Sequence, residues 1–191
     1  MKYSLMIGLM SGLVFGVFAS VAQAEMVERK ETTMIVVHHT GENHGEVSSI
    51  RAGHVQDRGW DDIGYHYLIC NGDGGNKNPP VQDGEVQRGR PEHLQGAHAG
   101  RYGLNRNPVS VGVVLVGKDK YTRKQKVSLV ATLVRLCYAY NIEPSAETIQ
   151  THHEDCPGDG LNMEEIINAT VVVLRDFRDL PEKERWDDLP K

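Results

Sequence analysis

The chain has 191 residues, 39% of them hydrophobic and 25% charged, and carries a formal net charge of −5 at neutral pH. That length supports one packed domain without disulfide staples, and the acidic balance gives no electrostatic case for a nucleic-acid partner. Three cysteines exclude a disulfide-dense scaffold, and in an oxidising compartment the odd count leaves at least one outside an intramolecular pair.

In chain order, Met1-Lys2 and an apolar stretch over residues 4–21 precede Ala22-Gln23-Ala24, the small-x-small pattern of a secretory signal peptide. Cleavage before Glu25 is expected, leaving an exported protein, periplasmic or secreted, with no membrane attachment. Residues 25–180 are then expected to form the domain, and residues 181–191 a charged tail. Within the domain, the β-branched run 33–37 is too short for a helix and reads as a buried strand ending in His38-His39. Val47, Ile50, His54 and Val55 repeat at helical spacing up to Arg58-Gly59. A strand follows to Cys70. From Asn71 to Asp83, Gly72, Gly74, Gly75, Pro79 and Pro80 permit neither helix nor strand, so a long loop is expected.

Residues 85–88 and 110–116 read as further strands, the second nearly all Val, Leu and Gly and therefore central. Thr122 and Gln125 form a capping box for a helix bearing Val127, Val130, Leu133, Val134, Cys137 and Tyr138 on its inner face. Residues 148–152 make a short strand ending in His152-His153, and a tight loop carries Cys156. Asn162 and Glu165 cap a last helix with Met163, Ile166, Ile167, Thr170, Val171, Leu174 and Phe177 facing inward. Strands alternating with helices indicate a single α/β domain with a central sheet flanked by helices.

Two separated His doublets and Cys156 are enough for a catalytic zinc site, which takes three protein ligands and keeps one position open. Adjacent strand residues face opposite sides, so only one member of each doublet can point at a given metal. If Cys156 holds zinc, Cys70 and Cys137 remain as either a bridge or two buried thiols.

Five segments carry a family resemblance: Val36 to Thr40; Arg58-Gly59-Trp60-Asp61-Asp62-Ile63-Gly64-Tyr65-His66-Tyr67; Gly96-Ala97-His98-Ala99-Gly100; Ser110 to Gly117; and His152 to Gly158. In this order they resemble the zinc-dependent N-acetylmuramoyl-L-alanine amidase family (amidase type 2), which takes in the lysozyme of phage T7 and the peptidoglycan recognition proteins. The resemblance implies that family's fold, a mixed β-sheet flanked by helices. It implies zinc (Zn2+) held by His38, His152 and Cys156, with Tyr65 as catalytic tyrosine. His98 matches a groove position expected to touch substrate, and His39 and Trp60 are expected beside it. The implied reaction is hydrolysis of the amide between N-acetylmuramic acid and L-alanine, with peptidoglycan or muropeptides as partner. The alternatives are a non-catalytic peptidoglycan-binding protein and a secreted antibacterial amidase toxin.

Two departures from the family pattern stand out. Only His153, Glu154 and Asp155 separate His152 from Cys156, so the Lys or Thr that assists at the oxyanion in many members has no match. His153, as a cation, or Glu154, as a general base, is expected to substitute, and His153 is a second choice as ligand. The insertion from Asn71 to Asp83 is longer than the family's usual hairpin and is expected to form a groove wall or meet a partner.

Overall fold

A computed structural model describes residues 26–75, 80–100 and 104–181; the expected leader, residues 1–24, and residues 182–191 of the tail lie outside the described residues. The elements run β1 (Met34–His39), α1 (Val47–Ala52), a π-helical turn (Gly53–Asp57), β2 (Tyr67–Asn71), β3 (Asp83–Arg88), a 3-10 turn (Asn107–Val109), β4 (Ser110–Leu115), α2 (Arg123–Ala139), β5 (Ile149–Thr151) and α3 (Met163–Asp179). Five strands form one mixed sheet in the order β3-β2-β4-β1-β5. β4 pairs parallel with β1 and β2, β5 pairs parallel with β1, and β3 closes the other edge antiparallel to β2.

Strand alternation divides the core into two layers. Ile35 and Val37 of β1, Tyr67 and Ile69 of β2, and Val111, Val113 and Leu115 of β4 pack against α2 and α3 through Leu129, Leu133, Leu136, Leu174 and Phe177. Leu68, Cys70 and Val114 turn to the opposite face, beneath Val47 of α1 and Ile63. The same alternation sends His38 to that second face, one step beyond Val37. Cys70 and Cys137 lie in different layers, on opposite sides of the sheet, and are buried free thiols rather than a bridge. Burial pushes both thiols up to about 12, so they stay protonated and unreactive at neutral pH.

Two inner-face expectations for the helices differ from the structure: Val127 is 58% exposed and Val171 43% exposed. On α2 the buried positions include the polar Gln125, Ser128 and Thr132 beside Leu129, Leu133, Val134, Leu136 and Cys137. A backbone carbonyl has two lone pairs to satisfy, and Gln125 Nε2 donates to Val116 O at 2.8 Å and to Ile69 O, which also takes the Val116 N–H, at 3.1 Å. Ser128 Oγ donates to Gly84 O at 2.6 Å. The Thr122–Gln125 capping box forms as the spacing predicts, and Asn162 caps α3 by accepting from the Glu165 backbone N–H.

Candidate functional site

β1 and β5 are parallel neighbours, with Val37 in register with Thr151. The next residue on each is therefore His38 and His152, side by side at the carboxyl ends of adjacent strands, where open parallel sheets gather their ligands. Their ring centroids are 4.6 Å apart. Cys156 reaches the same point through a β-turn: Cys156 N–H donates to His153 O at 3.0 Å, and His153 N–H donates to Cys156 O at 3.3 Å. The short His152–Cys156 interval thus suffices, because four residues close the turn. One donor atom from each of His38, His152 and Cys156 lies within 4.8 Å of the other two.

Burial, followed by His98 and His152, holds the His38 imidazole well below the usual histidine range. His152 is lowered to about 4, by burial and then by His153. Both rings are therefore neutral at physiological pH, as metal ligation requires. Burial raises the Cys156 thiol, opposed by the His39 backbone N–H, which donates to Sγ at 3.3 Å. Two neutral imidazoles and one thiol, close enough to share an ion, match the nitrogen and sulfur preference of zinc and leave a coordination position open.

Tyr65, just before β2, places its ring 5.1 Å from His38. Burial, with Cys156 next, pushes its phenol up to about 12, so it keeps its proton at neutral pH and remains a donor. Tyr65 also borders an open groove of about 880 Å³ lined by Thr40, His44, His54, Arg58, Asp73 and Gly75 among others. Asp73, Gly74 and Gly75 of the insertion line that groove. His54 anchors its floor: the Gly64 N–H donates to Nδ1 at 3.0 Å.

The other expected site residues fall in several places. His98 is only 6% exposed, with Nδ1 3.0 Å from His38 Nε2. Trp60 packs on His54 at 4.6 Å, under the Arg58 guanidinium. His39 points away from the trio, as alternation demands, and donates from Nε2 to Asp155 O at 3.0 Å. His153 stands beside His152, with Nδ1 accepting the Asp155 N–H at 3.3 Å. Glu154 is exposed on the turn.

Arg106 was not anticipated from the sequence. Its guanidinium donates to Gln150 Oε1 and Thr151 O, each at 2.9 Å, and to His152 O at 2.6 Å, pinning the end of β5 that leads into His152. Beside it, Asn107 Oδ1 accepts the backbone N–H groups of His98 and Ala99 at 3.0 and 2.8 Å. A lone Arg-Asn pair in a loop carries no spacing signal.

Comparison with known proteins adds a family profile described as N-acetylmuramoyl-L-alanine amidase, which matches residues 28–159. The endolysin of Escherichia phage T7 is 33% identical over 147 residues, covering 71% of this chain and 84% of that protein. Peptidoglycan-recognition protein LB of Drosophila melanogaster is 32% identical over 111 residues, 55% of this chain and 41% of that protein. Among solved structures, the N-acetylmuramoyl-L-alanine amidase LysC from Clostridium intestinale URNW superposes with a TM-score of 0.62 at 30% identity, covering 75% of this chain and 88% of LysC.

Proposed function

Since this chain belongs to the N-acetylmuramoyl-L-alanine amidase family, we propose that it hydrolyses the amide bond between N-acetylmuramic acid and L-alanine of peptidoglycan, using zinc held by His38, His152 and Cys156. The observation that carries this reading is the convergence of those three donors, with the Tyr65 ring packed against His38 and itself lining an open groove. Family membership makes the chain a peptidoglycan amidase; the zinc dependence, the scissile bond and the residue roles are the proposal.

An amide is a weak electrophile and water a weak nucleophile, so the site must assist both. Zinc, when bound, supplies Lewis acidity toward the amide carbonyl and toward water. His38 and His152 present neutral nitrogens at physiological pH, and the His39 N–H stabilises the Cys156 sulfur as it loses its proton. Tyr65, still protonated, donates to the oxygen on which negative charge develops. The groove takes the stem peptide, with Arg58 and the Asp73–Gly75 wall on its sides. His153 and Glu154 stand next to the ligands, where His153 assists at the oxyanion or Glu154 accepts a proton. Export by the leader would deliver the enzyme to the wall.

Mass spectrometry of digested peptidoglycan tests the bond. The proposal predicts stem peptides with a free N-terminal L-alanine and glycan with intact disaccharides; binding to peptidoglycan with neither product would leave a recognition protein.

A further inference from the structure

The second face of the sheet holds a slot built for one side chain. A Cβ on Gly112 of β4 would sit 2.6 Å from the His98 ring, and a Cβ on Gly96 would sit 2.3 Å from it. Only glycine fits at either place, so the His98 imidazole is fixed between two backbones. Its two nitrogens then face different partners: Nδ1 is 3.0 Å from His38 Nε2, and Nε2 is 3.4 Å from Ser110 Oγ.

The proton positions along this line follow from its far end. Ser110 Oγ donates to Arg106 O at 2.7 Å, which uses the single hydroxyl proton. Ser110 Oγ can therefore only accept from His98. Hence His98 carries its proton on Nε2 and offers a lone pair at Nδ1. A contact between that lone pair and His38 Nε2 requires the proton on His38 Nε2, leaving the His38 Nδ1 lone pair open.

We propose that His98 and Ser110 are positioning residues that hold His38 in the Nε2–H tautomer, so that Nδ1 is the atom offered to the metal; this rests on the metal-centre reading above. The nitrogen that a ligating imidazole presents is set by the bond its other nitrogen makes. In this chain that bond ends on Arg106, whose guanidinium also grips the backbone of His152. One loop residue thus braces both histidine ligands, the first through its carbonyl and the second through its side chain.

The test is nitrogen-15 NMR of the His38 ring in the purified protein, zinc-loaded and after chelation, with zinc affinity measured by chelator competition for wild type, His98→Phe and His98→Gln. The expected result is a proton on His38 Nε2 in both states. His98→Phe, which keeps a ring in the slot but has no acceptor, should weaken zinc binding by about 10- to 100-fold. His98→Gln, which keeps an acceptor for His38, should recover most of that loss. A proton on Nδ1 in the wild type would overturn the proposal, as would a folded His98→Phe that binds zinc as tightly as wild type. If His98→Phe fails to fold, the wild-type tautomer and the His98→Gln affinity decide. If the wild type binds no zinc, the metal reading fails, and the spectrum of the chelated protein still decides the tautomer.

Discussion

Replacing Tyr65 by Phe removes one oxygen and leaves the ring that packs 5.1 Å from His38. His38, His152 and Cys156 are untouched, and the ring by which Tyr65 packs on the second core layer and lines the groove is kept, so folding, zinc content and groove shape should stay close to wild type. What disappears is the phenolic donor. Burial holds that phenol up to about 12, so at pH 7 to 9 essentially every wild-type molecule has the proton in place. Loss of one oxyanion donor costs about 10²- to 10³-fold in kcat, roughly 3–4 kcal/mol. The assay is stem-peptide release from purified peptidoglycan at saturating substrate, with zinc content and melting temperature measured on the same samples. The expected outcome is a kcat down by at least about 10²-fold with KM and zinc content nearly unchanged. A Tyr65→Phe enzyme that keeps most of its kcat, or that changes only in KM, would refute a transition-state role for the hydroxyl.

Further outcomes follow from the surroundings of the site. Arg106→Lys keeps the charge but loses the planar fork that reaches Thr151 O and His152 O; zinc affinity should fall about tenfold, and an unchanged affinity by chelator competition would contradict the bracing role. Gly112→Ala pushes a methyl into the His98 ring, 2.6 Å away, and should destabilise the protein by about 1–3 kcal/mol in urea unfolding; wild-type stability would show that the slot is slack. His66 is held down to about 4, chiefly by burial, against about 6.5 when unfolded. The unfolded chain therefore binds more protons between these values, so the stability this residue lends is complete above about pH 6.5 and is lost as pH falls towards 4. Melting temperatures of the chelated protein should drop across that window, and a flat or rising profile on acidification would contradict the buried neutral ring.

The fold was largely legible because its signals are local. The β-branched runs at β1 and β4, the Thr122–Gln125 box and the Asn162 cap each depend on a few neighbouring residues, and all appear where the spacing puts them. The inward faces of α2 and α3 were read less well, because hydrophobicity alone ranks Val127 above Gln125, while the buried backbone carbonyls of Ile69 and Val116 take a side-chain donor there. At the site, alternation allowed one histidine of each doublet, and register between β1 and β5 brings His38 to His152. His98 was harder to place: its motif marks it as part of the site, but only the three-dimensional stacking of Gly96 and Gly112 shows that its ring is held between two backbones against His38. Arg106 had no signal, since its partners, the Gln150 side chain and two backbone carbonyls, lie over forty residues away in no fixed spacing.

The most direct test of the central claim is zinc stoichiometry together with stem-peptide release from purified peptidoglycan, for wild type and Cys156→Ala. One zinc per chain, chelator-sensitive release by the wild type, and loss of both metal and release in Cys156→Ala are predicted. Release that survives chelation, or a Cys156→Ala protein that retains both zinc and activity, would contradict a catalytic metal held by His38, His152 and Cys156.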